Sequence, residues 1–301
     1  MWNKIAKCST HQGSITSLSI SPDNTKIVVG TSTGYLSLFD IQCNLIASQK
    51  VHNQGINAVQ WVPNGLAIVS ASDDSTIKLS NQFLSTIKVY SGHQNAVMCI
   101  DVCSNSTLLA SGGLDTSLLI WDITNETPIR TILAHSEAVC CIHFNSSGSY
   151  ILTSSWDGLT RLWDVNTELN LRTYITGNVR VSYSLFSPNE AYILSSYMNN
   201  QIVLFETISQ KPVALFKNHK NTTYNAITAF VAKDSNPESV EVVIGDEDGA
   251  IIGYNLNSQQ IIWKIDVATS STPVFQFNST GLLLVVVSGN DDKVLEIFSR
   301  K

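Results

Sequence analysis

The chain has 301 residues, of which 44% are apolar and 14% are charged, and this composition predicts a folded protein rather than a disordered one. The net charge of −6, with no cluster of Lys and Arg, argues against direct nucleic-acid binding and against a membrane-surface protein. The first residues, MWNKIAKCSTHQGS, lack the apolar segment of a secretory signal, so we expect a soluble intracellular protein.

The first predicted element is a short strand, NKIAKCS, and it precedes a series of repeats. Each repeat contains a short apolar segment such as LLIWDI at 118–123 or TRLWDV at 160–165. The aromatic position of successive segments is occupied by Phe39, Ser80, Trp121, Trp163, Phe205, Tyr254 and Phe298. These positions are 41 to 49 residues apart, so seven copies occupy the whole chain.

Two further positions recur at the same interval. One is a histidine, found as His11, His52, His93, His135 and His219. The other is a polar residue six positions before the aromatic one, found as Thr33, Asp74, Asp115, Asp157, Asn199, Asp248 and Asp292. Between them lie short runs rich in β-branched and aromatic residues, separated by turn residues, which predicts strands and hairpins and no long helix.

A repeat of about 40 to 45 residues with four short strands and a Trp-Asp marker resembles the blade of a WD40 β-propeller. We therefore predict an all-β fold, in which residues 1–301 form a single seven-bladed domain. The N-terminal strand is expected to complete the last blade, because this pairing closes the ring and removes a free sheet edge.

The segment TSSWDGLTRLWDV at 153–165 places Ser, Asp and Trp near a histidine, a combination that suggests a hydrolase. The combination recurs with the repeat, whereas a catalytic triad occurs once in a site. The resemblance to WD40 blades implies instead a hydrogen-bonded chain of Asp, His, Ser or Thr, and the indole N–H. Its clearest copies are His93, Asp115 and Trp121, and His135, Asp157 and Trp163, with Thr153 or Ser155 as the hydroxyl member.

No other pattern in the sequence predicts chemistry. His143 stands alone on a predicted strand and is expected to be packed or half-exposed rather than a ligand. The six cysteines show no zinc-binding spacing and are expected to be buried, reduced thiols. We therefore expect no catalytic residue, no metal and no cofactor.

Several segments resemble the WD-repeat scaffold subunit of COMPASS-type histone methyltransferase complexes, which act on lysine four of histone three. They are AHSEAVCCIHFNSSGSYILTSSWDGLTRLWDV, FSPNEAYIL, NHKNTTYNAITAF and SGNDDKVLEIFSRK. The degenerate second blade, which ends in LSN, resembles the budding-yeast form of that subunit. The resemblance implies a non-catalytic nuclear scaffold, monomeric within a hetero-oligomeric complex. Its implied partners are a SET-domain methyltransferase subunit, a companion WD40 propeller and a histone tail.

In animal members of this family, two aromatic side chains at the channel mouth sandwich an arginine of a partner peptide. The matching positions here, Met98 and Ile227, are not aromatic, so we expect an arginine peptide to bind weakly or not at all. Asp73 and Trp156 match the rim of the family's pocket. The other positions expected at the mouth are Thr16, Asn57, Cys140 and Ser182.

The resemblance implies a second docking site for the companion propeller on the opposite face of the fifth blade. The matching residues are Asn189, Tyr192 and Leu204. A tyrosine is a typical interface anchor, but the same residue type also fills the groove between two blades. Two other functions stay open: a WD40 adaptor of another complex, such as a spliceosomal one or a ubiquitin-ligase substrate receptor, and an enzyme of propeller fold.

Overall fold

A computed structural model describes residues 2–9, 12–223, 225–232, 240–267, 273–278, 280–288 and 294–300. Within these residues, 28 strands form seven four-stranded antiparallel sheets, which confirms the predicted seven-bladed propeller. None of the described residues lies in a helix, so none forms a helix that could span a membrane. The marker residues His11 and Asp292 lie outside the described residues.

Each of the first four blades runs outward from its innermost strand. Blade one contains β2 (Ile15–Ile20), β3 (Lys26–Thr31), β4 (Tyr35–Asp40) and β5 (Leu45–Lys50). Blade two contains β6 (Ile56–Trp61), β7 (Ala67–Ser72), β8 (Thr76–Asn81) and β9 (Thr86–Ser91). Blade three contains β10 (Val97–Val102), β11 (Leu108–Gly113), β12 (Ser117–Asp122) and β13 (Pro128–Leu133). Blade four contains β14 (Val139–Phe144), β15 (Tyr150–Ser155), β16 (Leu159–Asp164) and β17 (Asn170–Ile175).

The remaining blades follow the same plan until the last one. Blade five contains β18 (Val181–Phe186), β19 (Tyr192–Tyr197), β20 (Gln201–Glu206) and β21 (Pro212–Phe216). Blade six contains β22 (Thr228–Ala232), β23 (Val240–Asp246), β24 (Ala250–Asn255) and β25 (Ile261–Asp266). Blade seven contains β26 (Val274–Phe277), β27 (Leu283–Ser288), β28 (Val294–Arg300) and, as its outermost strand, β1 (Trp2–Ser9).

The two ends of the chain meet in blade seven. β1 pairs antiparallel with β28, with Trp2 opposite Arg300 and Ser9 opposite Val294. The expectation that the N-terminal strand completes the last blade is therefore confirmed. This pairing satisfies backbone groups of β28 that would otherwise form an open edge.

A buried ion pair supports this closure from blade six. The Glu241 side chain, 2% exposed, accepts two hydrogen bonds from the Arg300 guanidinium, at 2.9 Å and 3.0 Å. It also accepts a 2.7 Å bond from Nε1 of Trp263. The same guanidinium lies 5.3 Å from the ring of Trp2. One arginine of β28 thus joins the closing strand to the neighbouring blade.

The hydrophobic core lies between the blades. In one cluster, Val69 and Leu79 of blade two pack against Leu109 and Trp121 of blade three. The strands alternate between side chains that face the preceding blade and side chains that face the following one, so their residues are buried on both faces. Packing between neighbouring blades fixes the innermost strands around the central channel.

We predict that Arg300→Ala lowers the free energy of unfolding by about 3 kcal/mol, because it removes two charge-assisted hydrogen bonds to the buried Glu241 carboxylate. Lys264→Ala is the control, since Lys264 pairs with Asp266 at the exposed surface, 3.8 Å apart, and its loss should cost less than about 1 kcal/mol. Urea unfolding of the three proteins measures both values. Equal effects of the two substitutions would contradict the closure described here.

Candidate functional site

Five residues expected at the channel mouth share one backbone feature. Each is the extra residue of a β-bulge near the start of an innermost strand: Thr16, Asn57, Met98, Cys140 and Ser182. A bulge turns one side chain away from the alternation of its strand. These five and Ile227 line a cavity of about 370 Å³ between the innermost strands. The structure thus brings six of the eight expected mouth residues together in one cavity.

Several mouth side chains also join neighbouring blades. Thr16 Oγ1 donates to the carbonyl oxygen of Ile56, and Asn57 Nδ2 donates to the carbonyl oxygen of Val97 at 3.0 Å. Cys140 Sγ lies 3.1 Å from the carbonyl oxygen of Val181 and donates to it. Each bond crosses from one innermost strand to the next. Substitution of these residues would therefore alter the packing of the ring as well as the cavity.

The two expected rim residues differ in their surroundings. Asp73 is exposed, and its Oδ1 accepts a 2.7 Å hydrogen bond from Nδ2 of Asn57, which connects it to the mouth. Trp156 does not line the cavity, and its ring is covered by the guanidinium of Arg180 at 5.3 Å. The rim therefore presents a carboxylate at blade two and a stacked cation at blade four.

Met98 and Ile227 both line the cavity, and neither offers a flat aromatic face. Met98 Sδ accepts a weak 3.8 Å contact from Asn57 Nδ2, and Ile227 packs against the core cluster of blades six and seven. Among the described residues, the phenol and phenyl rings that line the cavity are those of Tyr183 and Phe275. These rings lie on strands β18 and β26 rather than at the expected sandwich positions.

A polar cluster lies deeper in the channel. Asp101, 9% exposed, accepts hydrogen bonds from Nε2 of Gln60 at 2.7 Å and from the backbone N–H of Phe144 at 2.6 Å. His143 Nδ1 lies 3.8 Å from Oδ2 of Asp101, and its Nε2 is hydrogen-bonded to the hydroxyl of Tyr183 at 2.9 Å. Burial raises the pKa of Asp101 and lowers the pKa of His143. Both shifts favour an uncharged pair.

This cluster was not predicted from the sequence, because His143 was interpreted as an isolated residue. Ser19, Gln60, Asp101 and His143 occupy the fifth position of four consecutive innermost strands. Their spacing of 41, 41 and 42 residues follows the repeat, and this period was the signal that would have grouped them. Side chains that differ from blade to blade can therefore form one cluster when they occupy the same position of the repeat.

The geometry of the cluster does not activate a nucleophile. The distance of 3.8 Å between His143 and Asp101 is too long for a hydrogen bond, and the carboxylate already accepts N–H groups. The hydroxyl that is hydrogen-bonded to His143 is that of Tyr183, and burial raises the pKa of Tyr183 well above the usual value. A serine or cysteine triad requires the opposite: an imidazole held by a carboxylate and a hydroxyl or thiol made more acidic.

The recurring histidines of blades three and four form the expected hydrogen-bonded chains. In blade three, Trp121 Nε1 donates to Ser111 Oγ at 2.8 Å, and Ser111 Oγ is 2.7 Å from Nε2 of His93. An indole only donates, so the serine proton points to Nε2 and the imidazole carries its proton on Nδ1. That Nδ1 donates to Oδ2 of Asp115 at 2.8 Å. Burial by itself raises the pKa of Asp115, and these hydrogen bonds outweigh it and lower the pKa.

Blade four repeats the arrangement with Thr153 as the hydroxyl member. Trp163 Nε1 and His135 Nε2 each lie 2.8 Å from Thr153 Oγ1, and His135 Nδ1 lies 2.9 Å from Oδ2 of Asp157. Burial raises the pKa of Asp157, but the hydrogen bond from His135 and others lower it to about 2. Ser155 instead donates to the carbonyl oxygen of Glu137, so Thr153 rather than Ser155 belongs to the chain.

This hydrogen-bonded chain of Asp, His, hydroxyl and Trp is incomplete in two other blades. In blade two, His52 still joins Ser70 and Asp74, but Ser80 stands in the Trp position and its hydroxyl has no hydrogen-bond partner. In blade six, His219 Nδ1 meets the hydroxyl of Tyr254 at 3.3 Å. Asp248, expected at the recurring acidic position, instead pairs with Lys220 at 3.0 Å and is exposed.

The expected docking residues at the opposite face of blade five are not equally accessible. Asn189 is exposed in the turn before β19. Tyr192 is half-buried, and it packs against the core cluster that joins blades five and six. Leu204 is 4% exposed and belongs to that cluster, so it is a core residue and offers no surface to a partner.

Within the described part of the chain, no three or more His, Cys, Asp or Glu side chains are arranged to hold a metal ion. The Asp and His side chains of blades two, three and four instead bond to each other and to hydroxyl groups. The arrangement is therefore suited to holding a rigid ring and presenting its channel mouth and turns to other molecules.

Comparison with known proteins identifies a repeat family. The family described as "WD domain, G-beta repeat" matches residues 2–40, 43–80, 84–122 and 126–164, just over half of the chain. The chain is 26% identical over 137 residues to COMPASS component SWD3 of Saccharomyces cerevisiae, covering 44% of this chain and 43% of that protein. It is 25% identical over 127 residues to a Poly(A)+ RNA export protein of Schizosaccharomyces pombe, covering 40% and 36%. The chain spans less than half the length of each of these relatives.

We predict that Ser111→Ala lowers the free energy of unfolding by about 2–4 kcal/mol, because it leaves Nε1 of Trp121 and Nε2 of His93 buried without partners. Ser91→Ala, at an exposed position of an outer strand, is the control and should change it by less than about 0.5 kcal/mol. Urea unfolding distinguishes the two. If both variants had the same free energy of unfolding as the wild type, the hydrogen-bonded chain of blade three would contribute nothing to stability.

We predict that the protein loses stability between pH 6.5 and 4.5. Burial lowers the pKa of His219 to about 4, so its imidazole stays neutral in the folded protein while the unfolded chain binds a proton below about pH 6.5. The unfolded state then binds more protons, and the free energy of unfolding falls as the pH drops.

The variant His219→Gln tests the contribution of this residue. Its free energy of unfolding should fall by about 2 kcal/mol less than that of the wild type between pH 7.5 and 4.5. Urea unfolding at the two pH values provides the comparison. An identical fall in both proteins would show that His219 does not titrate in this way.

Proposed function

The chain belongs to the WD40 repeat family, and on this premise we propose that it is a non-catalytic scaffold or adaptor subunit that holds segments of partner proteins. The observation that carries the proposal is the cavity of about 370 Å³ at the channel, with Asn57 and Met98 in its lining and Asp73 at its rim. A concave site lined by both apolar and polar groups is the usual form of a site for a peptide or a small ligand.

The proposed role rests on rigidity rather than reactivity. The histidines and aspartates of blades two, three and four are used in hydrogen bonds that stabilise the blades. In the deeper cluster, the Tyr183 hydroxyl on His143 has a raised pKa and is a poor nucleophile. These features favour a binding protein over an enzyme of propeller fold.

We further propose that the partners are subunits of a nuclear COMPASS-type histone methyltransferase complex. The support is the similarity to COMPASS component SWD3 over 44% of the chain, together with the sequence segments that resemble this scaffold subunit. A SET-domain subunit would meet the channel mouth, and a companion WD40 propeller would meet Asn189 and the exposed part of Tyr192 on the opposite face.

A second candidate function is an adaptor in the export of messenger RNA. The similarity to a Poly(A)+ RNA export protein, at 25% identity over 40% of the chain, favours it almost as strongly. The net charge of −6 argues that contacts in such a complex are made to proteins rather than directly to RNA.

The channel mouth is proposed to hold its partner without an arginine sandwich. Met98 and Ile227 offer no aromatic face, and the half-buried ring of Trp156 is already covered by Arg180 of this chain. Asp73 supplies an accessible carboxylate that suits a basic or hydrogen-bond-donating segment. Binding of an arginine peptide is therefore expected to be weaker than micromolar.

Affinity purification of the tagged protein from cells, followed by mass spectrometry, tests the proposal. We expect methyltransferase subunits to co-purify with the wild type. Asp73→Ala should reduce one partner and Tyr192→Ala another, because the two residues lie on opposite faces. Lys50→Ala, at an exposed site on the outer strand of blade one, is the control and should retain both partners.

Three outcomes separate the candidates. Recovery of methyltransferase subunits supports the chromatin assignment. Recovery of messenger-RNA export factors in their place supports the second candidate and retains the scaffold role. Purification of the chain alone, with no stoichiometric partner, would contradict the scaffold proposal itself.

A further inference from the structure

Two cysteines from distant parts of the chain meet where the ring closes. Cys8 lies on β1 and is paired with Leu295 in the ladder between β1 and β28. Cys43 lies in the turn between β4 and β5 of blade one, and its Sγ is 4.0 Å from the carbonyl oxygen of the same Leu295. Both side chains pack in the hydrophobic cluster between blades seven and one.

The two thiols affect each other's pKa. The Cys43 side chain lowers the pKa of Cys8, while Cys8 and burial raise the pKa of Cys43. Cys8 is half-buried, so solvent reaches it, whereas Cys43 is 8% exposed. The pair therefore consists of one accessible thiol with a lowered pKa and one sheltered thiol in the same cluster.

The other four cysteines lack this combination. Burial raises the pKa values of Cys99, Cys140 and Cys141. Cys103 is 1% exposed and donates its S–H to Oδ1 of Asn105 at 2.7 Å. Selective oxidation is therefore expected at the closure rather than elsewhere in the protein.

We propose that Cys8 and Cys43 form a redox modification site, in which a disulfide locks the closing strand β1 to blade one. The oxidant is a small-molecule disulfide of the glutathione class. The thiolate of Cys8 attacks one sulfur of oxidised glutathione, which forms a mixed disulfide and releases one glutathione. Cys43 loses its proton to solvent, and its sulfur attacks that of Cys8 and releases the second glutathione. One disulfide is thus reduced to two thiols while two protein thiols are oxidised.

The disulfide would act on the closure of the ring. It would link residues 8 and 43 covalently, so β1 could no longer separate from β28 and drift away from the propeller. The link restricts the unfolded chain and raises the stability of the oxidised protein. In a reducing compartment, such a bond forms only transiently, as a response to oxidation. This inference is independent of the proposed scaffold function.

The test uses the full-length protein in buffers with defined ratios of reduced to oxidised glutathione. Free thiols are then alkylated with N-ethylmaleimide, and tryptic peptides are analysed by mass spectrometry. We expect a peptide pair joined through Cys8 and Cys43, with the other four cysteines alkylated. The thermal melting midpoint should rise by several degrees on oxidation and return with dithiothreitol.

Variants decide whether the shift comes from this bond. Cys8→Ser and Cys43→Ser should each abolish the rise in the melting midpoint, and Cys103→Ser is the control that should retain it. The mass spectrum of the wild type is independent of whether a serine variant folds. Stable glutathione on Cys8 with Cys43 free, a link to any other cysteine, or a linked protein with an unchanged melting midpoint would each overturn the proposal.

Discussion

The structure depends on the pairing of β1 with β28, because this ladder joins the two ends of the chain and closes the ring. Two buried glutamates support it with charge as well as hydrogen bonds. Glu241 of blade six binds Arg300, and Glu296 of β28 binds Lys4 of β1 at 2.8 Å. Lys7 of β1 also lies 3.4 Å from Glu296, so two cations of the closing strand meet this carboxylate. The innermost strands of blades seven and one, β26 and β2, both line the channel cavity, so the cavity wall crosses this closure.

One repeat period serves two purposes in this chain. At the blade turns, it places Asp, His, a hydroxyl and Trp in contact, as in Asp115, His93, Ser111 and Trp121, and the polar groups satisfy each other. On the innermost strands, it places bulge residues such as Asn57 around one cavity, where side chains differ from blade to blade. Uniform positions thus stabilise the blades, and variable positions give the channel its own chemistry.

The sequence predicted what repeats and missed what depends on three-dimensional placement. Seven copies of the marker predicted seven blades, and the unpaired N-terminal strand predicted the closure. The proximity of Asp101 and His143 was not predicted, because the residue type at this strand position differs from blade to blade. Leu204 was expected at a surface, but its strand lies between two blades and is buried on both faces. Asp248 faces solvent and pairs with Lys220, and Ile244 stands where blades two, three and four carry the hydroxyl that binds the histidine.

Amide hydrogen exchange of the free protein and of its purified complex tests the proposal of a closed ring that binds partners at its faces. In the free protein, the amides of residues 2–9 that donate to β28 should exchange as slowly as the paired amides of another outermost strand, residues 45–50. In the complex, additional protection should be confined to the mouth and its turns, around residues 51–57 and Asp73, and to the turn that contains Asn189. Fast exchange of the β1 amides that donate to β28, or protection that falls on the outer strands and leaves both faces unchanged, would contradict it.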